Sequence, residues 1–466
     1  MLVELPRKVR TASGTTLELV RELGSGGQGA VYEVAGGRHA VKLLKETGAG
    51  STRDWAIRLR DLRRLPVDGL PLARPIDVLA PPLTGYVMEL VSGMAPRSRV
   101  AKVRPGEHAA EHYRDTGGLR RRLAILAGVA DALASLHARG LIYQDPSPAN
   151  IFVSEDVQRS DIWLIDTDNL TFTGASGHTV YTPRYSAPEL GSSGWSANTL
   201  SDSFAFAVVA YELLTLDHPF VGDELYEGLE DDELNALNGA HPWIDHPNDA
   251  SNRSTRGVQP RDLVLGPELK SLFQLTFVDG LRQREHRPGI GRWATAFRAA
   301  LSSTVPCTAC GMTYYYYTSQ DRCPWCDDAP RPATLGVWVF LDLASMPTPT
   351  VGETDNSLRP IERATVLAVE NQEILLTRGT VLGEVPNPGR PMFQLCWSEG
   401  YLLIANYSGQ VVNIVSPDAV RSQPLADGAV GKLPAVVDRA MWSVRVARKD
   451  RPDRWLCFMV NPGGPS

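Results

Sequence analysis

Three polar side chains in the middle of the chain have the types and the spacing for phosphate chemistry. Asp145 and Asn150 form a D-x-x-x-x-N pattern, and Asp166 follows sixteen residues later, at the end of an apolar run. Oxygen ligands of this kind suit Mg²⁺ or Mn²⁺, and a further carboxylate can accept a proton from an attacking hydroxyl. Such groups are costly to bury together without a cation. The pattern therefore predicts Asp145 as a catalytic base and Asn150 and Asp166 as metal ligands.

A glycine-rich segment near the N-terminus fits G-x-G-x-x-G, a pattern that dinucleotide-binding folds share. It consists of Gly24, Ser25, Gly26, Gly27, Gln28 and Gly29. In a dinucleotide-binding turn a helix follows, whereas here Ala30–Val34 continues as a strand. This favours a flap whose backbone N–H groups approach phosphates, with a simple glycine hairpin as the alternative.

Lys42 lies in the apolar strand that follows this hairpin. Taken alone, it could be a surface lysine whose ammonium group reaches the solvent. Next to a phosphate flap, it is predicted to contact the α- and β-phosphates of ATP.

Four of the six cysteines form two Cys-x-x-Cys pairs separated by twelve residues, Cys307 and Cys310, then Cys323 and Cys326. Four thiolates on two knuckles are typical of a structural zinc ribbon, in which no position remains open for catalysis. A pair of redox dithiols is the alternative. Cys396 and Cys457 lie among apolar residues and are predicted to be buried.

Length and composition restrict the classes of protein to which the chain can belong. Its 466 residues predict two or three domains, and 43% hydrophobic and 21% charged residues are typical of a folded protein. A net charge of -6 gives no general attraction to nucleic acid or to an acidic membrane surface. Since neither a signal peptide nor a long apolar run is evident, we expect a cytoplasmic protein without a membrane span.

The predicted elements change along the chain from strands to helices and back to strands. Up to about residue 92 we expect strands and a single helix over residues 52–65, on which Trp55, Leu59 and Leu62 recur at helical spacing. Helices follow after residue 118, including 202–216 and 266–301. Short apolar runs after residue 332 predict an all-β domain.

Residues from about 15 to 300 resemble the eukaryotic-type (Hanks-type) protein kinases, because these motifs occur in that family's order and spacing. The resemblance identifies Gly24–Gly29 as the glycine-rich loop, Lys42 as the ATP-binding lysine, and Asp145, Asn150 and Asp166 as the catalytic Asp and the two metal ligands. It also implies that Glu189 of Ala187-Pro188-Glu189 pairs with Arg287, and that Asp202 supports the catalytic loop.

The same resemblance implies an ATP- and Mg²⁺- or Mn²⁺-dependent kinase that phosphorylates Ser or Thr of a protein substrate. The further residues that would contact the nucleotide are Val31, Ala40, Met88, Glu89 and Val91, with Met88–Val91 as gatekeeper and hinge. More narrowly, residues 144–150 and 164–169 are similar to those of a divergent bacterial group. Such kinases are often encoded beside a metal-dependent protein phosphatase and a von Willebrand A-type protein, which are therefore implied partners.

The sequence departs from the kinase pattern around the catalytic loop. Tyr143-Gln144 replaces His-Arg, Ser147 replaces a lysine, and Thr167-Asp168 replaces Phe-Gly. The glutamate that should pair with Lys42 is not evident, and by spacing Asp61, then Asp54, is the best candidate.

The replacement of arginine by Gln144 also bears on regulation. Because Gln144 cannot bind a phosphate as arginine does, phosphorylation of the activation segment, residues 169–182, is expected to change activity little. Its candidate phosphosites are Thr171, Thr173, Ser176, Thr179 and Thr182.

The sequence thus predicts an α+β, two-lobed kinase fold followed by a zinc ribbon and an all-β C-terminal domain, for which a small sandwich is one candidate architecture. The expected boundaries are 1–302 for the kinase domain, with lobes meeting near residue 92, 303–330 for the ribbon and 331–466 for the β domain. Two other functions stay open: a pseudokinase or nucleotide-sensing scaffold that acts through the ribbon and the β domain, and a small-molecule kinase of the same fold.

Overall fold

The computed structural model describes residues 7–27, 29–45, 52–174, 180–191, 195–226, 235–237, 239–317, 319–342, 358–360, 366–382, 391–417, 420–434, 441–449 and 451–461. Side chains are described at these positions except at 52–54, 56 and 358–360. The chain forms two compact units. One comprises Met1–Gly117, Ala124–Arg261 and Pro267–Ala294, and the other Gly118–Leu123, Asp262–Gly266 and Thr295–Ser466.

The first unit begins with a six-stranded antiparallel sheet of order β1-β2-β3-β4-β6-β5. Its strands are β1 (Lys8–Arg10), β2 (Thr16–Ser25), β3 (Gly29–Val34), β4 (His39–Leu44), β5 (Asp77–Val78) and β6 (Gly85–Glu89), and helix α1 spans Thr52–Leu62. Gly36 and Gly37 form the turn between β3 and β4, where both have a positive φ that glycine adopts readily. Val41 and Val87 on adjacent strands belong to one apolar core, so the sheet is held by side-chain burial as well as by its ladder.

The helical part of the first unit is organised around α5 (Thr199–Thr215) and α4 (Gly118–His137), whose first six residues belong to the second unit. Leu126, Leu133 and Leu136 recur at helical spacing on α4 and are fully buried, so they form its apolar face. Helix α5 is apolar on nearly all sides and almost wholly buried. A capping box starts it, in which the Asn198 side chain accepts the backbone N–H groups of Leu200 and Ser201.

Shorter elements complete this unit. Its other helices are α2 (Ser98–Ala101), α3 (Ala109–Asp115), α6 (Asp223–Tyr226), α7 (Pro267–Gln274), α8 (Gly280–Arg282) and α9 (Ile290–Ser302), which continues into the second unit. A π-helical turn at Leu275–Asp279 and a 3₁₀ turn at Arg284–His286 divide the region predicted as helices over 266–301. Two small sheets flank the loop of residues 143–150: β7 (Met94–Pro96), β9 (Ile151–Ser154) and β10 (Ile162–Leu164) form one, and β8 (Leu141–Ile142) and β11 (Thr171–Phe172) form the other.

The second unit is dominated by strands, as the sequence predicts for its C-terminal part. A hairpin of β12 (Thr304–Pro306) and β13 (Thr313–Tyr315) lies beside the cysteine pairs. Two antiparallel sheets follow, one built from β14 (Thr334–Asp342), β15 (Leu358–Pro360), β16 (Val366–Val369), β20 (Val412–Val415), β21 (Ser422–Leu425), β23 (Trp442–Val446) and β24 (Asp453–Asn461). The other is built from β17 (Glu373–Thr377), β18 (Pro391–Ser398), β19 (Tyr401–Asn406) and β22 (Val430–Pro434), with α10 (Arg378–Leu382) after β17.

These two sheets form a sandwich, because side chains from both contribute to one apolar core. Val337 and Val444 of the larger sheet and Leu395 and Ile404 of the smaller sheet are fully buried in it. The predicted sandwich is therefore confirmed. Cys457 is buried, as predicted, whereas Cys396 is only half-buried.

Among the described residues, no helix combines the length and the apolar character that crossing a lipid bilayer requires.

A buried ion pair joins two distant segments of the helical part of the first unit. Both terminal nitrogens of Arg287 donate to the carboxylate of Glu189, at 2.7 and 2.9 Å, which confirms the predicted pairing. The Nε–H group of Arg287 donates to the carbonyl oxygen of Gly280 at 2.7 Å, and the Arg287 side chain is only 1% exposed. Such bidentate, charge-assisted contacts are among the stronger polar interactions in proteins.

We predict that Arg287→Ala lowers the free energy of unfolding by about 3 kcal/mol, because it leaves the Glu189 carboxylate without its buried partner. Denaturant unfolding followed by tryptophan fluorescence measures the change. The matched control is Arg64→Ala, which removes the exposed Arg64–Asp61 pair and should change stability by less than about 0.5 kcal/mol. Equal effects of the two substitutions would contradict the prediction.

Candidate active site

The loop of residues 143–150, called the catalytic loop below, is held by the carboxylate of Asp202 at the start of α5. Asp202 is fully buried and accepts the backbone N–H groups of Tyr143 and Gln144 at 2.7 and 2.9 Å. His137 Nε2 lies 3.0 Å from the same carboxylate. These bonds compensate for the desolvation of Asp202 and hold Gln144 at a φ of 75°, which residues with a side chain rarely adopt. The predicted supporting contact of Asp202 is therefore confirmed.

Asp145 and Asn150 lie side by side on this loop. The Asn150 Nδ2 group donates to the carboxylate of Asp145 at 2.9 Å and to its carbonyl oxygen at 3.1 Å. Thr182 donates to the same carboxylate twice, from its backbone N–H at 3.0 Å and from its hydroxyl at 2.9 Å. Burial raises the pKa of Asp145, although the two Thr182 bonds act in the opposite direction. Neutral donors thus fix the orientation of the carboxylate.

Lys42 connects the strand β4 to the segment that follows β10. Its Nζ donates to Asp166 Oδ1 at 2.5 Å and to both carboxylate oxygens of Asp168, at 3.1 and 3.0 Å. The ammonium group is almost entirely buried, so these carboxylates neutralise a charge that would otherwise be costly. The structure therefore brings Lys42, Asp145, Asn150 and Asp166 together, as the sequence analysis predicts.

The charges around Lys42 shift the pKa values of their neighbours. Burial by itself would lower the pKa of Lys42, but the negative charges of Asp168 and Asp166 raise it overall. Burial also raises the pKa of Asp166, against the effect of the Lys42 charge. Tyr86 on β6 is fully buried and donates its hydroxyl to Asp168 Oδ1 at 3.2 Å. Burial and then the Asp168 charge raise the pKa of Tyr86 well above its usual value, so the phenol stays a donor.

The expected acidic partner of Lys42 on α1 is not Asp61. The side chain of Asp61 is 67% exposed and lies 3.8 Å from Arg64, one helical turn away. Leu59 and Leu62 point inward, which places Asp61 on the outer side of the helix. The side chain of Asp54 lies outside the described residues. Helix α1 instead contributes Arg58, whose Nε donates to the main-chain oxygen of Asp168 at 3.0 Å.

The glycine-rich segment is the turn of the β2–β3 hairpin, as the continuing strand predicts. The N–H of Gly26 donates to the carbonyl oxygen of Gly29 at 2.8 Å. A side chain at Gly29 would lie 2.2 Å from the carbonyl oxygen of Leu43, so glycine is required there for strand pairing. Gly24, Ser25, Gly26 and Gly27 are exposed, and Gln28 lies outside the described residues.

The other predicted nucleotide contacts lie on neighbouring strands of the same sheet. Val31 is paired with Lys42, and Ala40 with Met88, so these four positions lie close together. Ala40 and Met88 are buried, Val31 and Val91 are half-buried, and Glu89 at the end of β6 is exposed.

Sequence reasoning missed three residues that contact the predicted site: Asp168, Tyr86 and Thr182. A signal existed only for Asp168, as a second acid two residues after Asp166 at the end of a strand. Thr182 appears in the sequence analysis as a phosphosite, but its hydroxyl donates to the predicted base.

The four paired cysteines form a separate cluster in the second unit. Their sulfur atoms all lie within 4.8 Å of one another, with Cys307 and Cys326 at 3.8 Å and Cys310 and Cys323 at 3.9 Å. A tetrahedral zinc with Zn–S bonds of about 2.3 Å requires sulfur separations of roughly 3.8 Å. The sulfur positions therefore fit such an ion, and Trp325 supports the cluster by donating its backbone N–H to Cys323 at 3.4 Å.

Comparison with known proteins agrees with this geometry. Residues 86–261 match the protein kinase domain model. A serine/threonine-protein kinase, PkaA, of Streptomyces coelicolor is 31% identical over 47% of this chain and 40% of its own length. The serine/threonine-protein kinase PknA of Mycobacterium tuberculosis is 31% identical over 65% of this chain and 64% of its own. The protein kinase YegI of Escherichia coli is 25% identical over 72% of this chain and 52% of its own length.

The chain thus spans between 40% and 64% of the length of these curated relatives. The matched region contains Asp145, Asn150, Asp166 and Asp202. It begins in strand β6, which belongs to the same sheet as the strand that carries Lys42. Residues 86–261 thus match a protein kinase domain, and the chain is similar to bacterial serine/threonine kinases over part of their length.

Proposed function

We propose that the chain is an ATP-dependent protein kinase that transfers the γ-phosphate to a serine or threonine hydroxyl of a protein substrate. The observation that most supports this is the convergence of Lys42 and Asp166 with the Asp145–Asn150 pair, from separate strands and loops. The names of the relatives support the same reaction. A phosphatase and a von Willebrand A-type protein are proposed as partners on the sequence resemblance alone. The domain boundaries at 302 and 330 stay predictions from the sequence pattern.

The residues present fit a divalent cation with bound ATP. Asn150 uses its amide nitrogen for Asp145, which leaves its carbonyl oxygen as the ligand atom, and the Asp166 side chain keeps 30% of its surface exposed. Asn150 and Asp166 would hold Mg²⁺ or Mn²⁺, and Lys42 would contact the α- and β-phosphates. When bound, the cation supplies positive charge to the phosphate oxygens.

Asp145 would orient the substrate hydroxyl and accept its proton. Because Thr182 and Asn150 hold the carboxylate with neutral hydrogen bonds, its direction is set before the substrate arrives. Ser147, which stands where the family has a lysine, lies 3.4 Å from the Asp145 carboxylate and adds a hydroxyl but no charge.

Asp145→Asn is expected to reduce kcat by about 10²–10⁴-fold, because the group that accepts the proton is lost while the nucleotide contacts remain. Transfer of labelled phosphate from ATP to generic protein substrates measures kcat, and thermal stabilisation by ATP with Mg²⁺ or Mn²⁺ measures binding. The exposed Asp161→Asn is the matched control and should leave both unchanged.

The wild-type protein distinguishes the remaining functions in the same assays. Stabilisation by nucleotide without any transfer would favour a pseudokinase, and transfer to small molecules alone would favour a small-molecule kinase. If neither stabilisation nor transfer is found, the proposal fails.

We further propose that the four-cysteine cluster is a structural zinc ribbon. Metal analysis of protein purified under reducing conditions without chelator should find one zinc per chain, since binding such an ion contributes to folding of the module. Cys310→Ser should lose the zinc and lower the melting temperature. Cys396→Ser, outside the cluster, should keep it, and protein that contains no zinc would refute the proposal.

Gln144 supports a proposal about regulation. Its Nε2 donates to the carbonyl oxygen of Asn169 at 2.7 Å, and its Oε1 accepts the backbone N–H of Val180 at 3.1 Å. One buried side chain thus binds both the beginning and the end of the activation segment without a phosphate. Ser176 and Thr179 lie between these ends, outside the described residues. Thr182 must be set apart from the other candidate phosphosites, because loss of its hydroxyl would disturb Asp145 directly.

We therefore predict that a variant with alanine at Thr171, Thr173, Ser176 and Thr179 keeps most of its kcat. Gln144→Ala should lower kcat clearly, because the two ends of the segment lose their common partner. Both expectations are tested by measuring kcat of the two variants in steady-state kinetics, with protein that has first been treated with phosphatase. Loss of most activity in the fourfold variant, or after phosphatase treatment alone, would contradict the prediction.

A further inference from the structure

The carboxylate of Asp168 contacts Lys42, although no sequence motif predicts a role for Asp168 in the site. It is fully buried, and both of its oxygens accept hydrogen bonds from Lys42, at 3.1 and 3.0 Å. Tyr86 donates to Oδ1 at 3.2 Å. Asp166 is different, because it accepts a hydrogen bond from Lys42 through Oδ1 and its side chain is 30% exposed. Asp168 is thus the enclosed partner of Lys42, and Asp166 the accessible one.

The backbone around Asp168 is fixed on three sides. Asp168 lies in the 3₁₀ turn Thr167–Asn169. The residue directly before this turn, Asp166, has a φ of 58°. The Thr167 hydroxyl donates to the carbonyl oxygen of Ala73 at 2.7 Å, and Arg58 of α1 donates to the Asp168 carbonyl oxygen at 3.0 Å. A carboxylate on so constrained a turn has little freedom to follow a ligand, but it can hold a lysine in one direction.

We propose that Asp168 is a positioning residue for Lys42. This inference depends on the proposed kinase function, since it concerns how Lys42 is aimed at the phosphates of ATP. Asp166 is then available to the metal, while Asp168 keeps the ammonium group oriented. Among the described side chains of α1, the acid is Asp61, which is exposed and turned toward Arg64.

A double-mutant cycle tests the proposal by nucleotide affinity, which does not require turnover. Lys42→Met, Asp168→Asn and the double variant are compared with the wild type by isothermal titration of ATP, with and without Mg²⁺. Charge-assisted hydrogen bonds of this kind predict that Asp168→Asn weakens ATP binding by about 10- to 100-fold. In the Lys42→Met background the same change should have little further effect, because groups in contact are not additive.

The metal dependence separates positioning from metal ligation. If Asp168 acts through Lys42, the Mg²⁺ concentration that gives half-maximal ATP affinity stays at the wild-type value in Asp168→Asn. In Asp166→Asn it should rise, because a metal-ligand charge is lost. A rise of the same size in Asp168→Asn would identify a third metal ligand and overturn the proposal. Additive effects in the cycle, or unchanged ATP affinity, would also overturn it.

Tyr86→Phe provides a milder variant if Asp168→Asn does not fold, as judged by circular dichroism and thermal unfolding. It removes one neutral bond to Asp168 and should weaken ATP binding in the same direction but by less, and only while Lys42 is present. An equal effect with and without Lys42 would refute the proposal. ATP binding without phosphotransfer in the wild type would refute the kinase function and leave the cycle interpretable. Normal phosphate transfer in the wild type, together with additive effects in the double-mutant cycle, would refute only the role proposed for Asp168.

Discussion

The burial of Asp202 is the constraint on which the geometry of the candidate site depends. A carboxylate without solvent needs strong donors, and two consecutive backbone N–H groups, of Tyr143 and Gln144, provide them. Both can point at one carboxylate only if the chain turns sharply, and Gln144 accordingly adopts a positive φ. That turn sets the direction of the catalytic loop, and with it the positions of Asp145 and of the Gln144 amide.

Three carboxylates and one lysine share the site, so the distribution of charge decides what each group can do. Asp168 and Asp166 neutralise Lys42, whereas Asp145 is surrounded by neutral donors. A lysine at position 147 would stabilise the charged form of Asp145 and lower its pKa, but a serine hydroxyl at 3.4 Å has a weaker effect. Burial raises the pKa of Asp145 above its usual value although these hydrogen bonds lower it, and a raised pKa favours a group that accepts a proton.

The features that follow from local spacing could be predicted from the sequence. The β2–β3 hairpin, the strand position of Lys42, the sandwich and the Glu189–Arg287 pair all depend on motif order or on short periodic patterns. The contact between Lys42 and Asp168 could not be predicted in this way, because Asp168 lies 126 residues further along the chain and tertiary packing brings the two together. Asp61 failed as a candidate because spacing alone ignores helical phase: the buried Leu59 and Leu62 turn it outward. Thr182 gave no signal, since a short polar side chain has no periodicity to reveal its contacts.

The location of the acidic partner also changes how the site can respond to the rest of the molecule. An acid on α1 would make the orientation of Lys42 depend directly on the position of that helix, through a bond between charges. Asp168 lies on the same short turn as Asp166, so Lys42 is tied to the strand end that also carries the predicted metal ligand. Helix α1 still reaches this turn, but through Arg58 and a main-chain oxygen. Gln144 joins the ends of the activation segment in a similar way, through backbone groups. Both connections thus consist of hydrogen bonds within the chain, between one side chain and main-chain groups.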